Sequence, residues 1–113
     1  MQPRVLKYIL DIQSIIEEIE SIKKITENNF NFFKSDIILQ RAVERELEII
    51  GEAVRKILEL EPSINIGSAK NIIGLRNIIS HSYDNVEPEL VWGIIQNNIP
   101  VLSIEVNNIK NSK

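Results

Sequence analysis

The feature that most constrains the fold is a set of apolar residues that recur every three or four positions near the start of the chain. The repeat consists of Val5, Tyr8, Ile12, Ile15, Ile19 and Ile22, flanked by Ile9 and Ile16. An α-helix has about 3.6 residues per turn, so this spacing gathers the apolar side chains into one stripe. We therefore predict a helix from Pro3 to Glu27, with a long antiparallel helix packed against the stripe.

Three further segments carry the same helical period. They are a second helix from the Ser35–Asp36 cap to about Leu60, a third from Ala69 to His81 behind a Ser68 cap, and a fourth from Glu89 to about Ile109. Pro100 should kink or break the fourth helix, because proline cannot donate a backbone hydrogen bond. No segment shows the alternation of apolar and polar residues that is typical of strands. The sequence predicts one all-α domain over residues 1–113, a small up-down bundle of about four helices.

The second predicted helix has apolar residues on two rows. The main row is Leu39, Val43, Leu47, Ile50, Val54 and Ile57, and the second row is Ala42, Ile49 and Ala53. Two rows indicate contacts with the helix's own bundle and with another chain, and an exposed Ile73 on the third helix would add to that surface. We therefore predict a homodimer. Gly51 costs this helix about 1 kcal/mol relative to alanine, which a close helix–helix crossing would explain.

Two other groups of residues admit a functional and a structural interpretation. Glu44, Glu48 and Glu52 recur at every fourth position and could hold a metal ion, but ion pairs with nearby arginines on a solvated helix face are the commoner arrangement. We therefore predict no metal site. Phe30, Phe32 and Phe33 could stack on a nucleotide, but we expect a linker between helices to place them as an apolar plug over the end of the bundle.

Composition restricts the function further. The formal net charge is −3, so non-specific binding to nucleic acid would need a local basic patch. There is no cysteine, which excludes disulfides and thiolate metal sites. The N-terminal segment has neither a signal-peptide core nor a membrane span, so we expect a cytoplasmic protein.

The stretch from Arg76 to Tyr83 combines side chains that are suited to acid–base chemistry. It contains His81, the only histidine of the chain. On a helix, Arg76, Asn77, Ser80 and His81 share one side, with Tyr83 close to Arg76 if the helix continues. The apolar residues expected on the opposite, core-facing side are Ile72, Leu75, Ile78 and Ile79.

This polar face suits metal-free cleavage of RNA. A histidine near its ordinary pKa can deprotonate a 2′-OH, and an arginine one turn away can bind the phosphate and stabilise its transition state. Efficient cleavage needs both a base and an acid, and a dimer would supply a second histidine. The structural alternative is that Arg76 pairs with a glutamate, His81 caps the helix C-terminus and Tyr83 packs on the bundle.

The same stretch resembles the R-x4-H-x-Y motif of HEPN-domain toxins of the HepT-like branch, at Arg76, His81 and Tyr83. The segment R-A-V-E-R-E-L-E-I-I-G-E-A at 41–53 and the segment P-E-L-V-W at 88–92 are also similar to that branch, so the likeness covers essentially the whole chain. The resemblance implies an all-helical dimer whose cleft brings two motifs together.

The resemblance also implies a function. Members are metal-independent endoribonucleases that act as toxins, use no cofactor, and are neutralised by an MNT-type nucleotidyltransferase antitoxin. It implies that Arg76 and His81 are catalytic, that Asn77 and Ser80 support them, and that the antitoxin can transfer AMP to Tyr83. A non-catalytic helical module that binds a nucleotide or a partner protein is the alternative, and a purely structural helical dimer is a third possibility.

Overall fold

Helix boundaries in the computed structural model follow the caps and prolines that the sequence supplies. The structure describes residues 1–81 and 86–112. The helices in these ranges are α1 (Pro3–Ile25), α2 (Phe30–Ser35), α3 (Ile37–Leu60), α4 (Ala69–His81), α5 (Pro88–Asn97) and α6 (Ile99–Asn111). The described residues contain no strand, so the prediction of an all-α fold is confirmed. None of these helices combines the length and apolar character needed to cross a membrane.

The described helices number six rather than about four, for two local reasons. The phenylalanine linker itself forms α2, whose first turn is capped where the Asn29 side chain accepts a hydrogen bond from the Phe32 N–H at 3.1 Å. The predicted fourth helix divides at Asn98 into α5 and α6. Pro100 causes the division as predicted, because a proline at that position cannot continue the hydrogen-bond ladder of α5.

α1 and α3 are antiparallel neighbours, as the stripe on α1 requires. Gln2, just before α1, donates its backbone N–H to Glu61 Oε1 and its side-chain amide to the Leu60 carbonyl, both at 3.2 Å, at the end of α3. The buried residues of α1 are Val5, Ile9, Ile12, Ile16, Ile19 and Ile22. Tyr8 and Ile15, which were predicted in the main row, lie half-buried at its edge. The buried side of α1 is therefore turned slightly toward the flanking isoleucines.

α3 is the central helix, and its two apolar rows have different surroundings. The main row is buried from Val43 to Ile57, with Leu39 half-buried at its start. The second row divides, because Ala53 is buried whereas Ala42 and Ile49 are exposed. Asp36 begins the helix as predicted, and its carboxylate accepts the N–H groups of Ile38 and Leu39 at 3.1 Å.

The phenylalanines of α2 close one end of the bundle, which confirms the predicted plug. Phe33 is fully buried, and its ring centroid lies 5.1 Å from that of Trp92 on α5. Phe30 contacts the same tryptophan at 5.9 Å. Phe32 is exposed and points away from the core. Two of the three phenylalanine rings of α2 therefore pack between helices.

The start of α4 is tied to α6 by a carboxylate. Ser68 precedes α4 as predicted, and its carbonyl accepts the Ile72 N–H at 3.1 Å. Its hydroxyl, which was expected to cap α4, donates instead to Glu105 Oε1 at 2.6 Å. The Gly67 N–H donates to the other oxygen of Glu105. These bonds fix the end of α4 that lies farthest from His81.

Candidate functional site

Arg76 lies where α4 crosses α3 at close range, directly over Gly51. A Cβ atom built on Gly51 would lie 2.9 Å from Arg76 Cγ and 3.3 Å from the Ile72 carbonyl oxygen. Any larger residue at position 51 would therefore push α4 or the Arg76 side chain away. This confirms the close crossing predicted from the glycine and explains why α3 accepts its helical cost.

The Arg76 guanidinium has polar partners on both helices. Its Nη2 lies 3.4 Å from Glu52 Oε1, and its Nη1 donates to Asn77 Oδ1 at 3.2 Å. The side chain of Arg76 is 31% exposed, so a ligand can reach it. The glutamate partner proposed for Arg76 in the structural alternative is thus present, at a distance longer than a strong charge-assisted bond.

Glu52 is held more tightly by a second arginine. Arg55 Nη2 lies 2.7 Å from Glu52 Oε2, and Arg55 Nε donates to Oε1 at 3.2 Å. Arg55 also pairs with Glu59. The hydrogen bond from Arg55 lowers the pKa of the Glu52 carboxyl below its ordinary value, with smaller contributions from the charges of Arg55 and Arg76. Glu52 therefore keeps a partner if Arg76 turns toward another anion.

Ion pairs were predicted for the carboxylate row on α3, and Glu52 forms them with Arg55 and Arg76. Burial raises the pKa of Glu44, which the charge of Arg41 partly offsets. Among the residues that the structure describes, no three histidine, aspartate or glutamate side chains are grouped closely enough to hold a metal ion.

The buried and exposed sides of α4 are those predicted from the sequence, except at two isoleucines. Ile72 and Leu75 are buried, and Ile79 is half-buried. Ile78, predicted to face the core, is 52% exposed, and Ile73, predicted to be exposed, packs partly buried against the core. Both differences arise because α4 contacts α3 through the side of α4 that carries Ile72 and Arg76. The core-facing direction is therefore rotated toward Arg76 and away from Ile78.

The rest of the motif is only partly described. His81 is the last residue of α4, so its backbone continues the helix that carries Arg76 and Asn77. The side chains of Ser80 and His81 lie outside the described part of the chain, and so does Tyr83. Asn77 is exposed beside Arg76 on the side of α4 where the sequence placed it.

A groove opens beside Arg76, bounded by α1, α3 and α4, and we refer to it as the α1–α4 groove. Its volume is about 330 Å³. It is lined by Lys7, Tyr8 and Asp11 from α1, by Arg45, Glu48, Ile49, Glu52 and Ala53 from α3, and by Arg76 from α4. The sequence interpretation did not assign the α1 residues to a site. No sequence signal indicated them, because Tyr8 belongs to the apolar repeat of α1 and its place in the groove depends on how the helices pack.

Two contacts organise the α1 wall of the groove. Lys7 Nζ lies 2.9 Å from Asp11 Oδ2, and the same ammonium lies 5.1 Å from the centroid of the Tyr8 ring. The Lys7 side chain is 68% exposed, so both contacts are at the surface. The groove therefore presents an aromatic ring with a cation beside it, facing Arg76 on the opposite wall.

Comparisons with known proteins identify the family and the relatives to which this chain is similar. Residues 15–109 match a family described as "Ribonuclease HepT-like". The chain is 33% identical over 100 residues to "Putative RNase MJ1380" of Methanocaldococcus jannaschii, covering 84% of this chain and 89% of that protein. It is 34% identical over 100 residues to "Putative RNase TTE0752" of Caldanaerobacter subterraneus subsp. tengcongensis, covering 87% and 89%. It is 34% identical over 99 residues to "Probable ribonuclease HepT" of Thermococcus cleftensis, covering 84% and 86%. No solved structure matches the chain.

Proposed function

Because this chain belongs to the HepT-like ribonuclease family, we propose that it is a metal-independent endoribonuclease and the toxin of a toxin–antitoxin pair. The observation that carries the proposal is the position of Arg76. Its guanidinium is partly exposed at the edge of the α1–α4 groove, five residues before the only histidine on the same helix. An arginine so placed can bind a phosphate next to a titratable base.

In the proposed reaction, His81 acts as a general base on an RNA 2′-OH. The 2′ oxygen loses its proton to His81 and attacks the adjacent phosphorus, and the bond from phosphorus to the 5′ oxygen breaks. The leaving oxygen takes up a proton, which gives a 2′,3′-cyclic phosphate and a 5′-OH. DNA would not be cleaved, because it lacks the 2′-OH.

Arg76 supplies electrostatic stabilisation in this scheme. Its guanidinium would leave Glu52 for the phosphate oxygens, where negative charge accumulates in the transition state. Asn77 and Ser80 are the proposed supporting polar residues, and Asn77 already accepts a hydrogen bond from Arg76. Because Arg55 holds Glu52 independently, Glu52 keeps an ion-pair partner after this exchange.

The proposed reaction predicts that Arg76→Ala and His81→Ala each reduce RNA cleavage about 100-fold or more, the usual size of a lost acid–base or charge-stabilising group. The assay uses purified protein and total RNA in EDTA, with growth of the expressing cells as a second readout. Lys110→Ala is the matched control, because it removes a cation on α6, whose amine contacts Gln13 at 3.5 Å.

The same assay separates this proposal from a non-catalytic binding module. If wild-type protein leaves RNA intact in EDTA and in the presence of divalent cations, the enzyme proposal is wrong and the binding module is favoured. If cleavage occurs but persists in His81→Ala, the assignment of the catalytic residues is wrong.

We further propose that an MNT-type nucleotidyltransferase antitoxin neutralises the protein and can transfer AMP to Tyr83. An added AMP would place negative charge and bulk beside Arg76 and His81, where the RNA phosphate has to bind. After co-expression with such an enzyme, the peptide that contains Tyr83 should gain the mass of one or more AMP units. Tyr83→Phe should remain unmodified and keep its toxicity, and an unmodified wild-type peptide would contradict this assignment.

A further inference from the structure

The α1–α4 groove has a chemical character that the proposed cleavage reaction does not by itself require. Its α3 wall is apolar at Ile49 and Ala53, and its α1 wall carries the Tyr8 ring. Ile49 is 39% exposed, so an apolar surface is open to a ligand. We propose that this groove binds one unpaired base of an RNA strand, with Tyr8 as the stacking surface. The inference rests on the proposed ribonuclease function and adds a substrate subsite to it.

The charges around the groove favour a base over a phosphate inside it. Three cations line the groove, from Lys7, Arg45 and Arg76, and three carboxylates line it too, from Asp11, Glu48 and Glu52. The three positive and three negative charges cancel, so the groove as a whole offers no net attraction to a polyanion. Carboxylates repel phosphate but accept hydrogen bonds from the amino groups of bases. A base therefore suits the interior, and its phosphate suits the cationic edge at Arg76.

Tyr8 has the position and the contacts expected of a stacking residue. Its ring is half-buried against the core and is held in place by its helix, so little entropy is lost when a ligand binds. The Lys7 ammonium 5.1 Å from the ring centroid shows that the ring is accessible to a neighbouring group. Lys7 is mostly exposed and its ion pair with Asp11 lies at the surface, so it can move from the ring to a phosphate.

The dimensions of the groove limit the ligand to a short unit. A volume of about 330 Å³ lies at the lower end of the range for small-molecule sites, which is about 300–1,000 Å³. It therefore accommodates a single nucleotide, and the flanking nucleotides would run over the edge near Arg76. Base-paired RNA cannot insert a base in this way, so the substrate should be single-stranded at this position.

The test measures binding of a fluorescein-labelled, single-stranded oligoribonucleotide by anisotropy, using His81→Ala protein so that the RNA stays intact. Adding Tyr8→Leu, which keeps an apolar side chain but removes the ring, should weaken binding about tenfold, in line with the loss of one base–aromatic stack. Tyr8→Phe should restore most of the affinity, and Lys110→Ala should leave it at the parent value. A duplex of the same sequence should bind more weakly than the single strand.

The outcomes distinguish failure of the subsite from failure of the proposed function. If wild-type protein cleaves RNA and Tyr8→Leu binds the oligonucleotide as tightly as its parent, the subsite is wrong while the ribonuclease proposal stands. If Tyr8→Leu instead changes the mass of the assembly in light scattering without changing RNA affinity, the groove is a protein contact and the inference is overturned. If the wild type neither binds nor cleaves RNA, both proposals fail. Thermal unfolding of each variant confirms that the comparisons are made on folded protein.

Discussion

At the scale of single residues, Glu46 on α3 is a partly buried carboxyl at the contact with α1. Its Oε1 is buried and has no hydrogen-bond partner among the described residues. Burial raises the pKa of Glu46 to about 8, and the neighbouring Glu18 carboxyl acts in the same direction. Glu46 is therefore largely protonated at neutral pH, and the contact between α1 and α3 includes a neutral acid.

This pKa predicts that the protein loses stability as pH rises. The pKa of Glu46 is about 8 in the folded state and 4.5 as its reference value. Below pH 4.5 both states bind the proton, but between pH 4.5 and 8 the unfolded state releases it and the folded state does not, so the free energy of unfolding falls. Glu46→Gln should abolish this loss and be more stable than wild type at pH 8 by about 1–3 kcal/mol, allowing for partial solvent screening.

Urea unfolding of both proteins at several pH values from 5 to 8 measures the effect. The difference in unfolding free energy should grow with pH, because only wild type carries the titrating group. Glu17→Gln is the matched control, since it removes an exposed carboxylate next to Glu18. Parallel pH profiles for wild type and Glu46→Gln would show that the Glu46 carboxyl is ionised in the folded protein at neutral pH.

At the scale of helices, the features that were predictable from the sequence are those set by the local apolar period and by the capping residues. α1, α3 and α4 begin where they were expected, because Pro3, Asp36 and Ser68 mark their starts. α2 was not predicted, since its formation depends on Phe33 reaching Trp92, which is distant in the chain. Local pattern carries no information about such a contact.

The rotation of α4 was not predictable for a related reason. A helical wheel shows which residues share a side, but the helix that packs against it decides which direction is buried. Because Gly51 has no side chain, the Ile72 and Arg76 side of α4 can pack closely against α3. Ile78 is left exposed in consequence, although its neighbours in sequence are apolar.

In the candidate site, too, the features set by local spacing were predictable, and those set by helix packing were not. Arg76 and Asn77 could be assigned to one polar surface from spacing alone, and the structure places them together. The contribution of Tyr8 could not be predicted, since it depends on how α1 and α4 sit on either side of α3. The pairing of Arg76 with Glu52 depends on the crossing of α3 and α4. The sequence predicted a glutamate partner for Arg76 but did not identify which glutamate.

At the scale of the whole molecule, the chain supplies one histidine to the proposed reaction, which needs a base and an acid. Exposed apolar residues outside the α1–α4 groove offer a surface for a second copy, notably Ala42 on α3 and Ile78 on α4. We therefore expect a two-fold symmetric dimer in which the two motifs face one cleft. In that arrangement one His81 takes the proton from the 2′-OH and the other protonates the leaving oxygen.

A mixed dimer tests whether the site is shared. Wild-type and His81→Ala protomers carrying different affinity tags are co-expressed, and the heterodimer is isolated by two successive purifications. A shared cleft predicts that the heterodimer loses about 100-fold or more of the wild-type RNA cleavage rate, because either the acid or the base is missing. Two self-sufficient sites predict about half of the wild-type rate, because one intact protomer remains. The heterodimer of wild type with Lys110→Ala, purified in the same way, should keep the full rate. Retention of half the activity by the His81→Ala heterodimer, or a monomeric mass at micromolar concentration, would contradict the shared site.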